Sequence, residues 1–130
     1  MIGKTLTLSA DWDLTLTAAG TLSTATGDYA LSQNVANAVR LFTNDAFYDP
    51  ERGIPHFIVD LGQKLNPAVV RAEVQAAALA VNGVKQAALK DIRLLTAAGA
   101  VTGGEIAGAR TLTGDLRIKT ENGGAYVITI

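Results

Sequence analysis

The sequence predicts an α+β fold, two main helices packed on a small mixed or antiparallel sheet, and three observations carry that prediction. Apolar residues alternate near the start, two later segments place them at helical spacing, and the C-terminal third breaks into short extended runs punctuated by glycine. At 130 residues one domain is expected. Residues 1–27 would form extended N-terminal strands or an arm, 28–83 a helical part with a central loop, and 84–130 the small sheet.

In the first part, Leu6 and Leu8, then Leu14 and Leu16, sit two residues apart on either side of Asp11-Trp12-Asp13, where a turn fits. Two short strands or an extended arm are expected, and no internal repeat is apparent. Asp28 is placed as a helix cap, with Leu31, Val35, Val39 and Phe42 at helical spacing behind it, so a helix is expected over 29–42. Asn44, Asp45, Asp49-Pro50, Gly53 and Ile54-Pro55 then concentrate chain breakers into a fixed loop. Phe57-Ile58-Val59 with Leu61 reads as a helical turn or a short strand, with the helical turn preferred.

Asn66-Pro67 is a strong helix start, because asparagine caps the first amides and proline at the first helical position has no amide to leave unpaired. Val70, Val74, Ala77 and Val81 line one face. Gly83 is expected to end this helix in the left-handed conformation, with Val84 folding back on Leu79. Beyond it, Ala98-Gly99, Gly103-Gly104, Gly108 and Gly114 read as turns between strands. For the last hairpin, a two-residue Asn122-Gly123 loop would put Arg117 and Lys119 on one face with Tyr126, Ile128 and Ile130. A three-residue loop with Gly124 left-handed instead places Leu116 and Ile118 with that apolar set.

Composition narrows the functional classes. Charged residues are 18% of the chain and the formal net charge is −1, so no global positive field exists to hold nucleic acid. Cysteine is absent, which removes disulfides, thiolate nucleophiles and Cys-ligated metals. No stretch approaches the roughly 20 apolar residues that span a bilayer, and a soluble chain without signal peptide or membrane partner is expected. Aromatics are 5%, so a broad aromatic-lined ligand pocket is not expected.

No residue pattern points to catalysis or a cofactor. His56 is the only histidine, and the nearby Asp49, Glu51 and Asp60 lack a recognised ligand spacing around it. Ser32 sits in no nucleophile elbow. The carboxylate pairs Asp11/Asp13 and Asp49/Glu51 suit turns and solvated surface better than an acid and base. The pairs Gly103-Gly104 and Gly123-Gly124 lack the Lys-Ser that follows a phosphate loop.

Two segments are candidates for binding a partner. In the first, Phe47, Tyr48, Asp49, Pro50, Glu51, Arg52, Gly53, Ile54 and Pro55 put aromatics and charges on a stiffened backbone, a composition suited to recognition. The competing reading is that Phe47 and Ile54 pin this loop to the core. In the second, Tyr126, Val127, Ile128, Thr129 and Ile130 form a terminal strand that would offer a sheet edge to another chain, or else serve only as a core strand.

In its order of features the chain resembles the small baseplate wedge proteins of contractile phage tails, in particular the Mu-type branch, with relatives in type VI secretion baseplates. The resemblance is carried by Asp13-Leu14, by Gly27 to Gln33 opening the first helix, by the loop from Phe47 to Pro55, and by Asn82-Gly83-Val84. It implies a sheath-core-like wedge fold and a structural subunit that docks to larger wedge proteins and initiates tail-sheath assembly by strand sharing. It also implies the virion tail baseplate, assembled in the bacterial host cytoplasm, with central hub or tube-proximal proteins as further candidate partners. In that family a Glu-Pro-Arg loop motif docks larger wedge proteins; here the place reads Pro50-Glu51-Arg52, with the order changed. Members have been described as lysozyme-like, which makes a peptidoglycan-cleaving tail enzyme using Glu51 with Asp49 or Asp60 the alternative reading.

Overall fold

The computed structural model describes residues 3–56, 66–96, 99–101 and 111–130. It is an α+β structure. Strands β1 (Thr5–Leu6) and β2 (Thr24–Ala25) pair antiparallel near the start, and helices α1 (Gly27–Arg40) and α2 (Pro67–Leu79) follow. Strands β3 (Val84–Thr96), β4 (Gly99–Val101), β5 (Thr111–Thr120) and β6 (Ala125–Thr129) make a four-stranded antiparallel sheet in the order β4-β3-β5-β6. The expectation for 57–61 and the turns at 103–104 and 108 lie outside the described residues.

The N-terminal part has three extended segments where two were expected, and they close on one another. Leu8 bridges Leu14, Leu16 bridges Leu22, and β1 pairs β2. The amide of Thr7 donates to Ser23, that of Ser23 to Thr15 and that of Thr15 to Thr7, at 2.9, 2.9 and 3.3 Å, so the hydrogen bonds run round a triangle. This geometry exposes an eight-residue repeat, contrary to the expectation of none: Leu6-Thr7-Leu8, Leu14-Thr15-Leu16 and Leu22-Ser23-Thr24 recur in step. The turns recur as well. Trp12 donates to Ser9 and Gly20 to Thr17, with Trp12 and Gly20 both at positive φ. A closed sheet narrows as strands are removed, and Thr7, Thr15 and Ser23 are half-buried, as are Thr5, Leu8 and Ser9; the hydroxyls of Thr15 and Ser23 bond to Thr7 within the triangle. The leucines Leu6, Leu14, Leu16 and Leu22 point outward and are exposed.

Gln33 attaches this triangle to α1. Its side-chain amide accepts from Leu8 N and donates to Leu6 O at 2.9 and 2.7 Å, as a neighbouring strand would. Tyr29 Oη donates to Leu8 O, and the Arg40 guanidinium lies 3.8 Å over the Trp12 ring.

The helix boundaries differ in detail from the sequence expectations. α1 begins at Gly27, with Thr26 in the cap position and no side-chain cap; Asp28 is in the first turn, its carboxylate engaged by Tyr126 instead. Phe42 lies beyond the helix, in a parallel bridge with Ile54. Asn66 caps α2 through Ala68 N as expected. α2 stops at Leu79, and Gly83 is left-handed in the following turn. Val84 packs on the core, and Leu79 is 49% exposed.

The main core lies between the helices and one face of the sheet. It joins Val35 and Val39 of α1, Val70, Val74 and Ala78 of α2, Ile54, Leu89 of β3, and Leu116 and Ile118 of β5. Register in the last hairpin delivers this face. Leu116 opposes Ile128 and Ile118 opposes Tyr126, the face sharing expected for a three-residue loop. That loop is Glu121-Asn122-Gly123, however, closed by Thr120 N to Gly124 O, and Gly123, rather than Gly124, is left-handed. Gly114 is inside β5 rather than in a turn. It faces the bulge between Lys90 and Arg93, where a Cβ would meet Leu89 Cδ1 at 3.0 Å.

Candidate docking site

The loop leaving α1 is held shut at its neck. Ile54 N donates to Leu41 O at 2.9 Å and Thr43 N to Ile54 O at 3.1 Å, and Gly53 makes that approach possible. Gly53 has φ +116, and a Cβ there would stand 2.6 Å from the Phe42 carbonyl carbon. Further out, Asn44 N donates to Pro50 O, Asp49 N to Ala46 O and Arg52 N to Asp49 O, at 2.9 to 3.1 Å. Ala46 and Ile54 are buried, and the Phe42 ring packs 4.7 Å from that of His56, whose Nε2 is 3.3 Å from Val39 O. The single histidine is therefore part of the loop's base.

The loop carries its aromatics outward. Phe47 is 91% exposed and Tyr48 68% exposed, their rings edge to face at 5.5 Å. The reading in which Phe47 pins the loop is thus corrected, because Ala46 and Ile54 do so. Asp49, Pro50, Glu51 and Arg52 are exposed beside the aromatics, and Gly53 is half-buried at the neck. Leaving a phenylalanine in water forgoes about 2 kcal/mol of burial. A preordered loop that holds two aromatic rings in solvent has the makeup of a protein-binding anchor.

The second candidate segment divides by face. Tyr126, Ile128 and Ile130 turn inward against the core, so they are core residues. Tyr126 Oη donates to Asp28 Oδ2 at 3.0 Å, linking β6 to the start of α1. That hydrogen bond first, then burial and the carboxylate's charge, raises the Tyr126 pKa above its usual value. Val127 and Thr129 face the other way, Val127 61% exposed and Thr129 with its hydroxyl on Asp115. Gly114 and Ile130 exchange both backbone bonds at 3.0 Å. By alternation, Ile128 and Tyr126 also direct their backbone groups at β5, leaving those of Val127 and Thr129 on the outer edge. Among the described residues nothing pairs with that edge.

The two candidates lie far apart. Tyr126 is held at the N-terminal end of α1 and the loop departs from its C-terminal end, about 20 Å along the axis. Of the candidate carboxylates, Asp13 accepts from Leu14 N in a turn, Asp11 and Asp13 are exposed, and Asp49 and Glu51 are exposed on the loop, while Asp60 is outside the described residues. Ser32 donates to Tyr29 O within α1. Among the described residues no group of three His, Cys, Asp or Glu is placed to hold a metal, and no helix is long and apolar enough to cross a membrane.

Sequence reasoning missed two surfaces. One is the exposed leucine row of the triangle, whose signal was the eight-residue spacing. The other is the outer face of the sheet, where Arg117 and Lys119 alternate with the buried Leu116 and Ile118. No protein-family model matches this sequence, and neither does any curated protein.

Proposed function

We propose that this chain is a structural subunit of a contractile-tail baseplate wedge, the role implied by the sequence resemblance. It docks to larger wedge proteins through the loop from Phe47 to Gly53 and offers the edge of β6 to the tail sheath protein to initiate sheath assembly. The observation that carries the docking role is Phe47, 91% exposed on a loop whose own backbone bonds fix its shape. The edge of β6, unpaired among the described residues, supports strand sharing. No residue is assigned to catalysis; of the acids in the alternative hydrolase reading, Asp49 and Glu51 are exposed.

The test is an affinity pull-down of the tagged full chain from cells assembling the particle, with copurifying proteins identified by mass spectrometry. Phe47→Ser/Tyr48→Ser and the charge reversal Arg52→Glu should retain the native circular dichroism and lose the larger wedge proteins. Val127→Pro should lose the sheath protein, since it removes an outward amide without touching the β5–β6 ladder. Undiminished recovery of both partners by these folded variants would overturn the proposal.

A further inference from the structure

The outer face of the sheet carries mostly positive charge. Register places Lys90 and Arg93 of β3 and Arg117 and Lys119 of β5 on it, against the acid Asp115, with the exposed Asp91 in the bulge between Lys90 and Arg93. All four cations are exposed, and none makes an ion pair among the described residues. In a chain of net charge −1 this is a local concentration rather than a reflection of composition.

Between these cations and the free edge stand only small side chains. Arg117 lies opposite Val127, and Lys119 opposite Ala125. A groove of about 730 Å³ runs here, with Arg117, Lys119, Ala125 and Val127 among its lining residues. A strand added along β6 would lie two strand spacings, about 10 Å, from β5. An arginine or lysine extended across alanine or valine, met by a glutamate reaching back, spans that gap. On the opposite face, the added strand's alternate residues would continue the apolar row of Tyr126, Ile128 and Ile130.

We infer that the strand accepted at the edge of β6 alternates acidic and apolar residues, its carboxylates lying over Ala125 and Val127 towards Arg117 and Lys119. This rests on the strand-sharing reading above and adds the partner's chemistry to it. A polypeptide fits better than a nucleic acid because the cationic face borders unpaired backbone groups, which another backbone satisfies in register.

Fluorescence anisotropy of the full chain with labelled seven-residue peptides tests this, using valine alternated with glutamate, serine or lysine. The glutamate peptide should bind about tenfold tighter than the serine peptide, as two exposed ion pairs allow, and the preference should fade with salt. Arg117→Ser/Lys119→Ser should reduce it to about twofold, and Val127→Pro should abolish binding of all three peptides. Equal binding of the three, still abolished by Val127→Pro, would overturn the acidic preference and leave strand sharing standing. Glutamate-peptide binding unaffected by Val127→Pro, or tighter binding of a single-stranded DNA of equal charge, would overturn the inference. So would the absence of binding by any peptide at millimolar concentration, in which case strand sharing is judged separately by sheath recovery with Val127→Pro.

Discussion

The N-terminal triangle and the four-stranded sheet use the same period-two alternation with opposite polarity. In the sheet, Leu116, Ile118 and Leu89 face inward and Arg117, Lys119 and Lys90 face water. In the triangle, Thr7, Thr15 and Ser23 turn inward while Leu6, Leu14, Leu16 and Leu22 stand outside. Space accounts for the difference. The sheet face lies under two helices, where leucines fit and gain from burial, whereas three closed strands leave room for little more than hydroxyls, which bond to the converging strands. Alternation therefore identifies strands without saying which row is inside.

The sharpest test of the contrast is Leu116→Ala. Leu116 is fully buried, and truncation should cost about 3 kcal/mol and lower Tm by about 10 °C in thermal unfolding. A loss under about 1 kcal/mol would mean that the sheet face is not the main core. Gln33→Leu should come next, at about 2 kcal/mol in denaturant titration, because it strands the Leu8 amide and the Leu6 carbonyl. Hydrogen exchange should show lost protection at Leu8 specifically; unchanged protection there would detach the triangle from α1. The smallest effect belongs to Leu16→Ser, at under about 0.5 kcal/mol, since Leu16 is mostly in solvent. A cost near that of Leu116→Ala would invert the picture and place the leucine row inside.

Much of this was readable beforehand where local chemistry is decisive. Asn66-Pro67 starts α2 in the structure as read, because an asparagine cap and a first-turn proline act within one turn of chain. The face sharing of Leu116, Ile118, Tyr126, Ile128 and Ile130 also followed, because only one parity of register keeps them together. The loop from Phe47 to Gly53 was singled out by its breakers, but the exposure of Phe47 was not, since hydrophobicity alone favours burying a phenylalanine. Asp28 was misread as a cap because its partner, Tyr126, lies 98 residues away.

By itself, then, the sequence determined the α+β class, the capped second helix, the parity of the last hairpin and the loop that the docking proposal uses. Tertiary structure alone decided that the first strands close into a triangle with leucines outward, that four cations share the far face of the sheet, and that the edge of β6 is unpaired among the described residues. Helix caps and strand parity are fixed by neighbours along the chain, whereas inside and outside are set by what packs across space, and alternation is symmetric with respect to that choice.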